Sequence, residues 1–149
     1  MNRMPYAKRV IWAINFLNAL REDAGSKNPN DYPPTPGNIS FILHRPQLSE
    51  NIGACARAIK NFSFSKLLLI NPKPIFPNDK ILATSVGAKD IIKKANVFNN
   101  IEDSLNKLDI LIATSARFRN KNISHITLAD LNKIDFSKKI GFLINSRNE

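Results

Sequence analysis

Ile39-Ser40-Phe41-Ile42-Leu43-His44-Arg45-Pro46-Gln47-Leu48-Ser49-Glu50-Asn51-Ile52-Gly53-Ala54-Cys55-Ala56-Arg57 is the stretch from which the fold is read. Ile39 to Leu43 is a continuous apolar run of strand length, ended by the elbow His44-Arg45-Pro46. A helix is expected over Glu50 to Asn61, with Ser49 as its N-cap. Ile52, Cys55, Ala56 and Ile59 recur at helical spacing and mark its buried face. Gly53 and Arg57 stand four apart on one helix face, and Lys60 extends that stripe. A glycine there leaves room beside the guanidinium for a backbone or a phosphate to come close. Strand, polar turn, glycine and arginine in this order suit an anionic ligand such as RNA. On spacing alone, a glycine and an arginine so placed more often belong to an ordinary solvated helix face.

The pattern repeats outward from that stretch. Further strands are expected at Leu67–Ile70, Asn96–Phe98, Ile110–Ala113 and Ile140–Ile144. Helices are expected near Asp79–Ser85, Asp90–Lys94, Ile101–Lys107 and Leu128–Lys133, the last capped by Thr127. Short apolar strands alternating with helices give an α/β fold, a Rossmann-like parallel sheet with helices on both faces. Phe62, Phe64 and Phe76 read as core or edge packing, because no polar base-stacking pattern accompanies them. Ligands of such sheets bind outside the carboxyl ends of the strands. His44 to Arg57, Asn71-Pro72 and Thr114 to Arg119 all follow strands and meet at that edge. Thr114 and Ser115 offer hydroxyls and backbone N–H groups at a strand exit; Arg117, Arg119 and Lys121 follow, as phosphate contacts or as a solvated basic loop.

Composition sets the outer bounds. The chain has 149 residues, 43% of them hydrophobic, which is enough for one domain with its own core. Lys and Arg number 22 against 12 acids, a formal charge of +10. That excess favours a polyanionic partner, although a generally basic protein shows the same balance. The single cysteine, Cys55, cannot form an intrachain disulfide and reads as a small buried hydrophobe, as in a reducing cytoplasm. With only His44 and His125 beside it, no zinc-ligand spacing exists, and no metal is expected. Ser-His-Asp sets, carboxylate pairs and Walker-type loops are absent from the sequence as well.

His44 through Ala58 closely resembles the first signature motif of the SpoU/TrmH-like branch of the SPOUT superfamily. Its members are S-adenosylmethionine-dependent RNA 2′-O-methyltransferases, and the nearest pattern is that of enzymes methylating a ribose in the tRNA anticodon loop. Leu67 to Pro72, Ala83 to Asp90 and Asp109 to Arg117 resemble later family segments in the right order, so the likeness runs from Asn38 to Ile144. It implies a homodimeric cytoplasmic enzyme without metal or membrane attachment, acting on tRNA or rRNA. It implies catalysis by Arg57, with Asn51 shaping the loop that presents it, and a cofactor pocket bordered by Thr114, Ser115 and Ala116. Arg45, Lys60, Arg117 and Arg119 are the expected RNA contacts.

The two ends of the chain depart from that resemblance. In residues 1–37, Val10, Ile14, Leu17 and Leu20 trace an amphipathic helix followed by a Pro-rich linker. This arm is expected to pack on the domain or on a partner, with a targeting sequence as the alternative. The resemblance implies a C-terminal trefoil knot after the fifth strand, whereas this sequence has Asn145 at the expected turn glycine and stops at Glu149. Residues 38–149 therefore read as the N-terminal part of a SPOUT (alpha/beta knot) domain with the knot missing. Such a chain is expected to be inactive alone; the alternative is a non-catalytic remnant that at most binds RNA.

Overall fold

The computed structural model describes residues 6–23, 38–113 and 137–145. The elements are α1 (Tyr6–Asp23), β1 (Ile39–His44), α2 (Ser49–Asn61), β2 (Lys66–Ile70), α3 (Asp79–Thr84), α4 (Lys89–Lys94), β3 (Asn96–Phe98), α5 (Ile101–Leu105), β4 (Ile110–Ala113) and β5 (Ile140–Asn145). All five strands lie parallel in one sheet, in the order β3-β2-β1-β5-β4. Every strand expected from the sequence is present with its ends shifted by no more than one residue. The helix expected at Leu128–Lys133, with its Thr127 cap, lies outside the described residues.

β1 holds the centre, with Phe41 opposite Leu67 of β2 and Phe142 of β5. Both of its faces are buried, which explains an apolar run without alternation. Ile39, Phe41 and Leu43 face a cluster built with α1, α2, α3 and α4, whereas Ile42 faces Leu68, Ile70 and Leu143 on the other side. Burial of each such Ile, Leu or Phe side chain contributes about 1.5–3 kcal/mol. Phe41 is the hinge of the larger cluster, edge-on to Phe64 at 5.4 Å and stacked on Phe142 at 6.1 Å.

α2 ends in a way that delivers Phe64 to that cluster. Ser63 adopts φ 67, its N–H donates to Lys60 O, and the Phe64 N–H donates to Ile59 O. This is the paired bonding of a Schellman motif, with serine in the left-handed position usually taken by glycine. The accompanying apolar contact is Ile59 with Phe64, both buried. Of the other aromatics read as packing residues, Phe76 is partly buried against the same cluster and Phe62 is exposed.

The N-terminal arm packs on the domain. Val10, Ala13 and Ile14 of α1 are fully buried in the same cluster as Ile52, Cys55 and Ile59 of α2. Leu17 and Leu20 complete the expected stripe, but their side chains lie outside the described set, as does the linker at 24–37. Among the described residues no helix is long and apolar enough to cross a membrane.

Candidate functional site at the carboxyl ends of the strands

The chain leaves β1 toward β2 and β3 on one side, while β5 and β4 lie on the other. The switch point is therefore beside β1, and its crevice opens where ligands of open parallel sheets bind. Two strand exits at this edge share one device. The Arg45 N–H donates to Ile70 O at 2.8 Å, and the Asn71 N–H donates to Phe98 O at 2.7 Å. Arg45 has φ 55 and Asn71 φ 48, so each strand turns away immediately after its last ladder bond. Asparagine tolerates that conformation, whereas for arginine it is a local strain of about 1–2 kcal/mol. Strain of this kind gathers at binding sites, and here it leaves the Arg45 side chain exposed at the edge.

The loops after β1 and β2 are tied together. The Lys73 N–H donates to Pro46 O at 2.9 Å. Asn78 caps α3 by accepting from the Ile81 N–H at 2.8 Å, while its Nδ2 donates to Ser49 Oγ at 3.0 Å and to Ile75 O at 2.9 Å. Ser49 is thus the first residue of α2 and not its N-cap. Leu48 occupies the cap position, where its apolar side chain can make no cap bond, and the Ser49 hydroxyl accepts from Asn78. Glu50 pairs with Lys80 at 3.3 Å across the same two helices. Its own backbone N–H and then Lys80 hold the Glu50 carboxyl below its ordinary value of 4.5. Lys60 likewise holds Asp90 below 3.8. Lowered carboxylate values mean that these ties are complete above the ordinary values and are lost only as pH falls below them, through the lowered ones. Neutral pH leaves α2 anchored.

Gly53 does not make room for a phosphate. A Cβ on it would overlap Thr84 Oγ1 and lie 2.9 Å from the Thr84 carbonyl carbon. The glycine is buried because α3 ends against it, and the approaching backbone belongs to the protein itself. We expect Gly53→Ala to lower stability by about 1–3 kcal/mol through forced separation of α2 and α3, a cost reduced by the better helix propensity of alanine, about 1 kcal/mol. Urea denaturation measures it; a stabilised variant would show that α3 yields freely.

Arg57 follows one turn later, exposed, and makes no hydrogen bond or ion pair among the described residues. Helical Cα–Cβ bonds tilt toward the N-terminus, so the reach of this long side chain is directed back toward the strand exits. Asn51 lies half-buried in the first turn of α2, its N–H donating to Leu48 O at 3.2 Å. Lys60 lies at the far end of α2 and pairs with Asp90 at 2.7 Å, about 14 Å of helix rise from Asn51. The structure therefore brings Arg45, Asn51 and Arg57 toward one edge and places Lys60 away from it. Thr114, Ser115, Ala116, Arg117, Arg119 and Lys121 lie outside the described residues. β4 ends at Ala113, so its exit is on the same edge, two strands from that of β1. No group of three His, Cys, Asp or Glu fit to hold a metal occurs among the described residues. The anchoring by Asn78 was not foreseen from the sequence; the Asn-Asp pair before an apolar helix was its only signal.

Similarity to known proteins agrees with this geometry. A tRNA (cytidine-2′-O-)-methyltransferase TrmJ of Methanocaldococcus jannaschii is 34% identical over 91 residues, covering 60% of this chain and 39% of that protein. A tRNA (cytidine/uridine-2′-O-)-methyltransferase TrmJ of Sodalis glossinidius is 39% identical over 82 residues, covering 55% of this chain and 32% of that protein. The chain thus spans between about a third and two fifths of the length of the curated relatives it matches. The crystal structure of TrmJ from Z. mobilis superposes with a TM-score of 0.60 at 27% identity, over 72% of this chain and 49% of that one. The profile of the SpoU rRNA Methylase family matches residues 38–144, from the entrance of β1 to the last turn of β5, and the chain belongs to that family.

Proposed function

We propose that this chain supplies the catalytic edge of an S-adenosylmethionine-dependent ribose 2′-O-methyltransferase acting on tRNA as a homodimer. The observation that carries the reading is Arg57, an exposed guanidinium with no partner among the described residues, held beside the switch point by a doubly anchored helix. The activities by which the two TrmJ relatives are named support the same substrate class.

S-adenosylmethionine supplies a methyl group already activated on a sulfonium. What remains for the protein is to align a ribose hydroxyl with it and to ease loss of the hydroxyl proton. Arg57 is suited to hold the adjacent phosphate with paired N–H donors and to stabilise negative charge building on the 2′-oxygen. Asn51 fixes the first turn of α2 from which that arginine projects. Arg45 offers a second cation to the RNA at the strand exit, and Arg117 and Arg119 would continue the basic path beyond β4. For Lys60 to join them, a phosphate would have to replace Asp90. Thr114, Ser115 and Ala116 would border the cofactor; the described residues fit that role in topology, since the β4 exit lies on the crevice edge.

The test is transfer of label from methyl-tritiated S-adenosylmethionine into unmodified tRNA by the protein at its natural length. Incorporation that needs both protein and RNA is expected. Incorporation into protein or free nucleosides alone would overturn the reading.

A further inference from the structure

The opposite edge of the sheet carries a second basic feature. A groove of about 460 Å³ is lined by Lys66, Lys94, Lys107 and Lys139 together with Asn96 and Asn106. Each lysine stands at the entrance of a different strand. Lys66 opens β2, Lys94 precedes β3, Lys107 precedes β4 and Lys139 precedes β5. In a parallel sheet all strands enter at one edge, so positions scattered along the sequence become neighbours in space. All four lysines are exposed, and none forms an ion pair among the described residues. Asp109, an acid at the same edge, is one charge against four, and its Oδ2 accepts from the Lys139 backbone N–H at 3.0 Å. Leu67 and Leu68 also line the groove.

We infer that this groove binds the phosphodiester backbone of the same RNA, as a contact remote from the methyl-transfer edge. The inference rests on the RNA methyltransferase reading for its polyanion. From β3 to β4 is four strand intervals, about 19 Å at the usual spacing, a width that accommodates successive phosphates and not one alone. Lysines are compact point charges on flexible stems, which suits tracking a backbone without reading bases. Asn96 and Asn106 add donors and acceptors for phosphate and ribose oxygens. With one contact at each end of the strands, an RNA substrate would be gripped across the protein while its target ribose lies at Arg57.

The experiment compares the unaltered 149-residue chain with two triple variants in tRNA binding by fluorescence anisotropy across a salt series. One triple is Lys94→Gln, Lys107→Gln and Lys139→Gln. The control is Lys8→Gln, Lys89→Gln and Lys93→Gln, exposed lysines that do not line the groove. The groove triple is expected to bind about tenfold or more weaker at 100 mM salt and to flatten the log–log salt slope by about 2–3 units. The control should stay within about threefold of the unaltered chain, and circular dichroism should match for all three. Equal loss in both triples, or unchanged affinity in the groove triple, overturns the groove. So does displacement of tRNA by millimolar inorganic phosphate at constant ionic strength, which would mark a single-phosphate site. Absence of tRNA binding by the unaltered chain at low salt would instead count against the RNA reading itself.

Discussion

Arg57→Ala is expected to lower methyl transfer by about 10²–10³-fold, the range for removing one donor that stabilises transition-state charge. Initial rates at saturating labelled cofactor, with the protein at its natural length, measure it. Folding should be unaffected, since Arg57 is exposed and touches no partner among the described residues. RNA affinity should fall by no more than one phosphate contact. Arg57→Lys should recover only part of the rate, because an ammonium cannot make the paired donation of a guanidinium. A rate for Arg57→Ala within about threefold of the unaltered protein would make Arg57 a surface charge.

The largest expected stability change is at the other end of the physical scale. Phe41 is fully buried between Phe64 and Phe142, on the strand that both β2 and β5 pair with. Phe41→Ala removes that ring from a site whose walls are strands and cannot collapse freely, at a cost of about 3–5 kcal/mol. Domains of this size are stable by about 5–15 kcal/mol in all, so the variant should lose a large part of its margin. Urea denaturation should show it, with Ile75→Ala as a control. Ile75 is 85% exposed, and its truncation should change stability by less than about 0.5 kcal/mol. A loss below about 1 kcal/mol for Phe41→Ala would contradict the central place given to β1.

The inner strands were legible because both of their faces are buried, which writes them as apolar runs such as Phe41-Ile42-Leu43 or Leu67-Leu68-Leu69-Ile70. The face of α2 was legible for the same reason, from Ile52, Cys55, Ala56 and Ile59. At Gly53 a missing side chain announced the close approach of a backbone or a phosphate without deciding between them; the structure shows the backbone, that of Thr84, thirty-one positions away. Ser49 was misread because local cap chemistry lost to a tertiary bond from Asn78. The groove at the strand entrances could not be read at all. Lys66, Lys94, Lys107 and Lys139 share no motif or helical period, and only the parallel ladder collects them. Arg57 was legible through its motif, while its lack of a partner among the described residues needed the structure.

The most direct test of the catalytic edge is the position of the transferred methyl group. Alkali cleaves RNA through attack of the 2′-oxygen on the neighbouring phosphate, so a ribose methylated there resists and survives as a dinucleotide. Labelled tRNA from the methyl-transfer reaction would be hydrolysed in alkali and its products separated by size. The account predicts the label in alkali-resistant dinucleotides, and its loss with Arg57→Ala. Label recovered in mononucleotides, as from a methylated base, would contradict it.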